Sequence, residues 1–242
     1  MKEELLGLNN FWKLTKSQKI RRSDYIIDMI AEKIDNNQYI KRFMRYYSTN
    51  PLSKKGFING KTIIQKDLKD SLMKDTQEIE SPFVIDNDER ESKKCLFTYG
   101  FNDDIVVDEQ NYIFIENKKI IYDNVNKMAT MYLTISILVP DVYLELRDND
   151  CDYIIRRNKI IANTIENMLG DYTVDDKYSK YIGNIKFELT DYNEDRLAKN
   201  SNKILTTLVY KTKYSTIRWL LWECILMTWI ITLWNIQKWV MD

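Results

Sequence analysis

The sequence predicts an α+β fold: a mostly antiparallel sheet with an amphipathic helix packed on one face, an N-terminal helical segment and an extended arm. Three observations carry this. Residues 130–139 alternate strictly, with Met131, Leu133, Ile135, Ile137 and Val139 on one face and Thr130, Tyr132, Thr134 and Ser136 on the other. That is the period-two pattern of a strand, and Pro140 ends it. Residues 153–169 place Ile154, Ile161, Ile165, Met168 and Leu169 on one apolar stripe at helical spacing, with Gly170 as C-terminal cap. Two strands then follow, Ile182–Thr190 and Lys203–Thr212. In the first, Ile185, Phe187 and Leu189 point inward while Asn184, Lys186 and Glu188 point outward.

Along the chain, residues 1–52 form the helical segment, 53–92 a loop or arm, 93–214 the α+β core and 215–242 a Trp-rich apolar tail. A helix spans Ser23–Ile34, capped by Ser23 and Asp24, with Ile26, Ile27, Ile30 and Ile34 at helical spacing. Asp35-Asn36-Asn37 breaks it. Gln38–Tyr47 resumes with Ile40, Phe43, Met44 and Tyr47 on one face, and Asn50-Pro51-Leu52 stops it. The arm is polar apart from a short helix near Asp67–Met73, and its length suits an assembly role. Lys94–Tyr99, Tyr112–Ile115 and Ile120–Tyr122 are short strands, with Asn117-Lys118-Lys119 as the turn between the last two. Core positions are Met131, Leu133, Ile135, Ile137, Ile161, Ile165, Met168, Phe187 and Leu189.

In the tail, five of the six tryptophans gather: Trp219, Trp222, Trp229, Trp234 and Trp239. Cys224–Gln237 carries no charge, which falls short of the roughly 18–20 apolar residues of a spanning helix. Three readings stand: an interface or core segment, a membrane anchor through 217–240, and a tail altered by a frame change.

With 44% hydrophobic and 30% charged residues the chain should fold. Its net charge of zero gives no global case for nucleic acid. The charge is uneven, however. Residues 1–61 hold 13 Lys/Arg against 6 Asp/Glu, and residues 67–116 are acidic through Asp86, Asp88, Glu89, Asp103, Asp104, Asp108 and Glu109. Head-to-tail complementarity between subunits and two ordinary solvated surfaces both fit. Arg21, Arg22, Arg42 and Arg45, with Tyr46 and Tyr47, form a candidate basic contact surface for phosphate or for an acidic partner.

Histidine is absent, which removes histidine acid–base catalysis and the commonest transition-metal ligand. The three cysteines, Cys95, Cys151 and Cys224, make neither a CxxC pair nor a disulfide framework. The N-terminus has no apolar run of signal-peptide length, so synthesis in a reducing, intracellular setting is expected. Asp148-Asn149-Asp150-Cys151-Asp152 opens like a calcium loop, but Tyr153 and Lys159 stand where Gly and Glu belong, so it reads as a turn before the helix. No catalytic residue, cofactor or metal site is expected, and the chain is not read as an enzyme.

The order of elements from Ile20 to Tyr210 resembles neck and tail-completion proteins of long-tailed bacteriophages, the tail-terminator and head-tail joining family. The likeness rests on Asn50-Pro51-Leu52 closing the helical segment and on the alternating strand Met131–Val139. It continues in the helix with Arg157, Ile161-Ala162, Ile165 and Met168-Leu169, and in strands opening on Ile182-Gly183 and ending near Tyr210. The 53–92 stretch and the Trp-rich tail depart from the family pattern. The resemblance implies a virion structural protein assembled in the host cytoplasm. It would form a homo-oligomeric ring, commonly a hexamer, that caps the tail tube and docks to the connector. Its partners would be other neck and tail-tube proteins, with DNA only in passage.

Overall fold

The computed structural model describes residues 16–58, 61–75, 94–101, 110–148, 151–170, 185–197 and 202–215. Helix α1 (Lys16–Asn36) buries Ile26, Ile27, Met29, Ile30, Ala31 and Ile34. It begins upstream of Ser23, which is buried inside the helix rather than capping it. Asn37 has extended backbone and its side chain accepts from Ile40 N at 3.1 Å, which starts α2 (Gln38–Arg45). Ile40, Phe43 and Met44 are the buried stripe of α2.

Strands β1 (Lys55–Ile58) and β2 (Lys61–Ile64) make a hairpin within the stretch read as loop or arm. The following coil is stitched to the helices. Gln38 donates to Leu68 O at 2.9 Å and accepts from Leu68 N at 3.0 Å, and Asp35 accepts from Leu72 N. A helix at 67–73 would join Leu72 N to Leu68 O, and these side chains take both groups, so the segment is coil and turn instead.

The main sheet has five strands in the order β3 (Leu96–Phe97), β4 (Tyr112–Asp123), β5 (Met128–Pro140), β9 (Lys203–Ser215) and β8 (Phe187–Arg196). Only β3–β4 is parallel. A short 3-10 turn, Asp141–Tyr143, leads from β5 into a separate two-stranded ribbon, β6 (Glu145–Asp148) and β7 (Cys151–Arg156). Helix α3 (Arg157–Gly170) follows directly.

Residues paired across antiparallel strands share a face. Ile137 pairs with Thr206, Ile135 with Leu208, Leu133 with Tyr210 and Met131 with Thr212. All eight are buried. Asn158 Nδ2 donates to Thr206 Oγ1 at 2.8 Å, so α3 lies over this face. Its Ile161, Ile165 and Leu169 are buried there, and Met168 packs at the margin. The opposite face is more open: Lys213, Glu188, Asp191 and Asn193 are exposed. One corner of it is closed by rings, with Phe97 stacked on Phe114 at 5.2 Å and Phe101 edge-on to Phe114 at 5.4 Å.

Several expectations change. Residues 112–123 are one strand, and Asn117–Lys119 is a bulge inside it, not a turn. The turn falls at 124–127, where Asp123 accepts from Val125 N and Asn126 N, both at 3.0 Å, and Lys127 takes φ 53°. The helix starts at Arg157, not at 153. Ile154 belongs to β7 and is 59% exposed. Asp148 ends β6 and pairs with Cys151, which opens β7, so a strand rather than a turn leads into the helix. The strand β8 continues to Arg196, six residues past the expected end at Thr190. No described helix is long and apolar enough to cross a membrane.

Candidate assembly surfaces

Both margins of the main sheet carry unpaired backbone among the described residues. At one side β8 pairs only with β9, which leaves the outer edge of ten residues open. At the other side β3 covers only Ile113 and Phe114, so β4 from Glu116 to Asp123 also has an open edge. Exposed edges of this length are templates for further pairing. Their charges differ. The β8 edge strand carries Glu188, Asp191, Glu194 and Asp195 against a single Arg196. The open part of β4 presents Lys118 and Lys119 at its bulge, with Glu116 and Asp123 at its ends, and so has no acidic excess. Lys118 Nζ lies 2.7 Å from Glu116.

The helix layer is fastened by one buried cation. Arg157 is fully buried, and its guanidinium donates to four carbonyls: Tyr143 O, Phe43 O and Tyr46 O at 2.7 Å, and Ser48 O at 2.8 Å. Its backbone N donates to Leu144 O at 2.7 Å. Burial pulls its pKa down to about 10. Asn111 Nδ2 adds bonds to Phe43 O and Met44 O, both at 3.2 Å. The end of α2, the 46–49 loop, the 3-10 turn and the start of α3 are thereby held as one unit. Tyr47 and Tyr143 close it with ring centroids 4.3 Å apart.

This unit walls a groove of about 470 Å³ between the Thr49–Ser53 turn, the ribbon and the flanks of α2 and α3. Arg147 N donates to Thr49 O at 2.9 Å and ties ribbon to turn. Arg156 meets Glu194 at 2.7 Å and ties the ribbon to β8.

The sequence-derived site residues fall as follows. The five tail tryptophans lie outside the described residues. Arg21 and Arg22 lie on α1. Arg42 and Arg45 are turned inward, which corrects the expected basic contact surface at those two positions. Arg42 donates to Pro51 O at 2.9 Å and Ser53 O at 2.8 Å and meets Asp67 at 3.1 Å; Arg45 is 5% exposed. Carbonyls of the following turn and coil take these cations, leaving little for a phosphate. Arg157 entered the sequence reading only through the family resemblance, with no structural role, and Asn111 and Asn158 not at all, because a polar residue beside an apolar stripe reads as solvated. Burial also raises the Cys95 thiol, a free cysteine inside the core. Among the described residues no cluster of His, Cys, Asp and Glu is arranged to hold a metal.

No curated protein matches the chain. A chain in a solved structure described as "Virion of native gene transfer agent (GTA) particle" is similar at 12% identity and a TM-score of 0.33, over 50% of this chain and 78% of that one. A family model described as YomW matches residues 37–214, from the cap of α2 to the penultimate residue of β9. The chain belongs to the YomW family, which is phage-related.

Proposed function

We propose that this chain is a virion structural subunit of the phage neck. As a tail terminator or head-tail connector it forms a ring, commonly of six copies, that caps the tail tube and docks to the connector. Its role is assembly, not catalysis, and its place is the virion, assembled in the host cytoplasm.

The observation that carries the reading is the pair of unlike edges on one sheet. Pairing β8 with β8 of another copy sets acid against acid, which is destabilising. Pairing β8 of one copy with the Lys118–Lys119 edge of the next sets opposite charges together. That contact is head-to-tail, and head-to-tail contacts are all satisfied only when the chain of subunits closes.

The test is light scattering coupled to size-exclusion chromatography, with electron micrographs of each peak. The wild-type chain is expected to give rings of about six copies. Changing Lys118→Glu and Lys119→Glu together should leave a folded monomer by circular dichroism. Adding Asp191→Lys and Asp195→Lys should restore rings. A wild-type chain that stays monomeric, alone and with purified tails, defeats the proposal. Rings indifferent to both charge changes defeat the edge argument.

A further inference from the structure

Strands β4 and β8 run antiparallel to each other within one copy, because three antiparallel pairings separate them. Neighbours in a ring of about six copies are related by a rotation of about 60°. Such a rotation turns no direction through more than that angle. The β8 of one copy therefore lies antiparallel to the β4 edge of the next. A parallel seam would need the reversal that a two-fold axis supplies. The same rotation keeps the α3 side of every sheet on one side of the seam, so residues that meet across it point the same way.

That condition sorts the two edges. On β4, Asn117, Ile120 and Tyr122 point to the α3 side, since they pair with buried Leu133, Met131 and Ala129. Lys119, Ile121 and Asp123 point away from it. On β8, Tyr192, Glu194 and Arg196 point to the α3 side, paired with buried Leu208, Thr206 and Ile204. Glu194 meets Arg156 and Lys159 there. Asp191, Asn193 and Asp195 point away, and Asn193 Nδ2 donates to Asp195 Oδ2 at 2.7 Å.

Strand β3 limits how far an incoming strand can reach. It holds the β4 edge at Ile113 and Phe114, and the chain after it stays against β4: a Cβ on Gly100 would lie 2.6 Å from Glu116 Oε2. We infer that β3 is the stop that sets the register of the seam, with Arg196 of one copy opposite Asn117 of the next. This rests on the edge pairing proposed above. The register leaves Lys118 out at its bulge and places Asp195 opposite Lys119, Asn193 opposite Ile121 and Tyr192 opposite Tyr122. Lys119 meets an acid, and Ile121 and Tyr192, 45% and 44% exposed in the single chain, are covered. Asp191 falls opposite Asp123 at the far end, where Val125 N, Asn126 N and Asn126 Nδ2 already hold the Asp123 carboxylate. Advancing the strand by two residues sets Asp195 against Glu116 and pushes Arg196 against β3. Withdrawing it by two takes every acid of β8 away from Lys119.

The test uses the full chain carrying Cys151→Ser and Cys224→Ser, with Cys95 left buried in the core. Ile121→Cys and Asn193→Cys are placed together in one chain. Within a copy the two sites are three strand spacings apart, at least about 14 Å, too far for a disulfide, so any link joins two copies. Mild oxidation is expected to give a ladder of covalent oligomers on a non-reducing gel. Either cysteine alone should give no ladder. Ile121→Cys with Asp191→Cys, and Ile121→Cys with Asp195→Cys, are each displaced by two residues and should stay unlinked. Asp195→Lys should raise the protein concentration needed for rings in light scattering, and Asp191→Lys should lower it. Rings that link at a displaced pair, or at none, overturn the register and leave the ring reading standing. A ladder from Ile121→Cys and Asn193→Cys without closed rings supports the register and counts against closure. Neither rings nor ladder overturns both.

Discussion

Replacing Arg157 by methionine tests whether one buried cation holds the end of α2, the loop after it and the 3-10 turn to the start of α3. The guanidinium supplies four hydrogen bonds at 2.7–2.8 Å to carbonyls on three segments. In Arg157→Met, Phe43 O keeps Asn111 Nδ2 as donor, but Tyr46 O, Ser48 O and Tyr143 O lose the guanidinium. Each buried acceptor left unmet costs about 1–3 kcal/mol. An opposing term comes from no longer burying the charge. The fall in pKa from 12.5 to about 10 corresponds to roughly 3 kcal/mol against the buried cation. The net expectation is a loss of about 3 kcal/mol, a large part of the roughly 5–15 kcal/mol of a typical domain. Urea unfolding followed by far-ultraviolet circular dichroism, at one protein concentration, measures it. Arg157→Lys should lose a smaller but definite amount, because one ammonium cannot span three segments. A change below about 0.5 kcal/mol in Arg157→Met, or a gain in stability, would refute the reasoning and place this site among buried charges replaceable by apolar side chains.

Four further outcomes are expected. A Cβ on Gly56 would lie 2.7 Å from Gln65 Cδ and 2.8 Å from Ser48 Cβ, with the Gln65 amide pinned by Asn50 O and Ser53 O, so Gly56→Ala should cost about 1–3 kcal/mol in thermal unfolding. Gly100→Ala meets only the swingable carboxylate of Glu116 and should cost under about 0.5 kcal/mol. Burial raises the Tyr47 and Tyr210 phenols above their ordinary value of 10.0. Raised folded values mean stability that is whole below that pH and lost above it, so the alkaline fall in stability should be shallower in Tyr47→Phe and Tyr210→Phe. Asp123 is held below its ordinary 3.8, chiefly by the backbone N–H of Asn126 and then by its side chain. Its contribution is present above that pH and lost as pH falls below it, so Asp123→Asn should flatten the acid limb of a pH–stability profile.

Much of the sheet was legible because its apolar residues follow the strand period. Met131, Leu133, Ile135, Ile137 and Val139 are all fully buried, and Ile185 and Phe187 point inward as expected. The stripe of Ile161, Ile165 and Leu169 was legible for the same reason at the helical period. Ile154 was misread because a period-3.6 pattern continues by chance from α3 into the ribbon. The second half of β8 was illegible because Asp191–Arg196 has no apolar alternation; its pairing is set by the backbone of β9. The buried role of Arg157 was invisible for a different reason. Its partners are main-chain carbonyls more than one hundred residues away in sequence at Phe43, Tyr46 and Ser48, and a carbonyl leaves no mark on composition.

The irregularities of the sheet are placed where they bear on assembly. The central β5–β9 pair runs through thirteen residue pairs with no register shift. The shifts in the main sheet fall at Asn117/Lys119 in β4 and Leu189/Asp191 in β8, the two strands with open edges. A bulge adds local twist and leaves a residue out of the ladder, so a flat foreign strand no longer fits the edge. Charge then adds a second filter, because acid on β8 repels its own kind and Lys118 and Lys119 attract it. Together these features oppose indiscriminate pairing while leaving one complementary strand able to dock. In the proposed ring that strand belongs to the next subunit, and the regular central pair keeps each subunit rigid enough for both edges to be presented at a fixed angle.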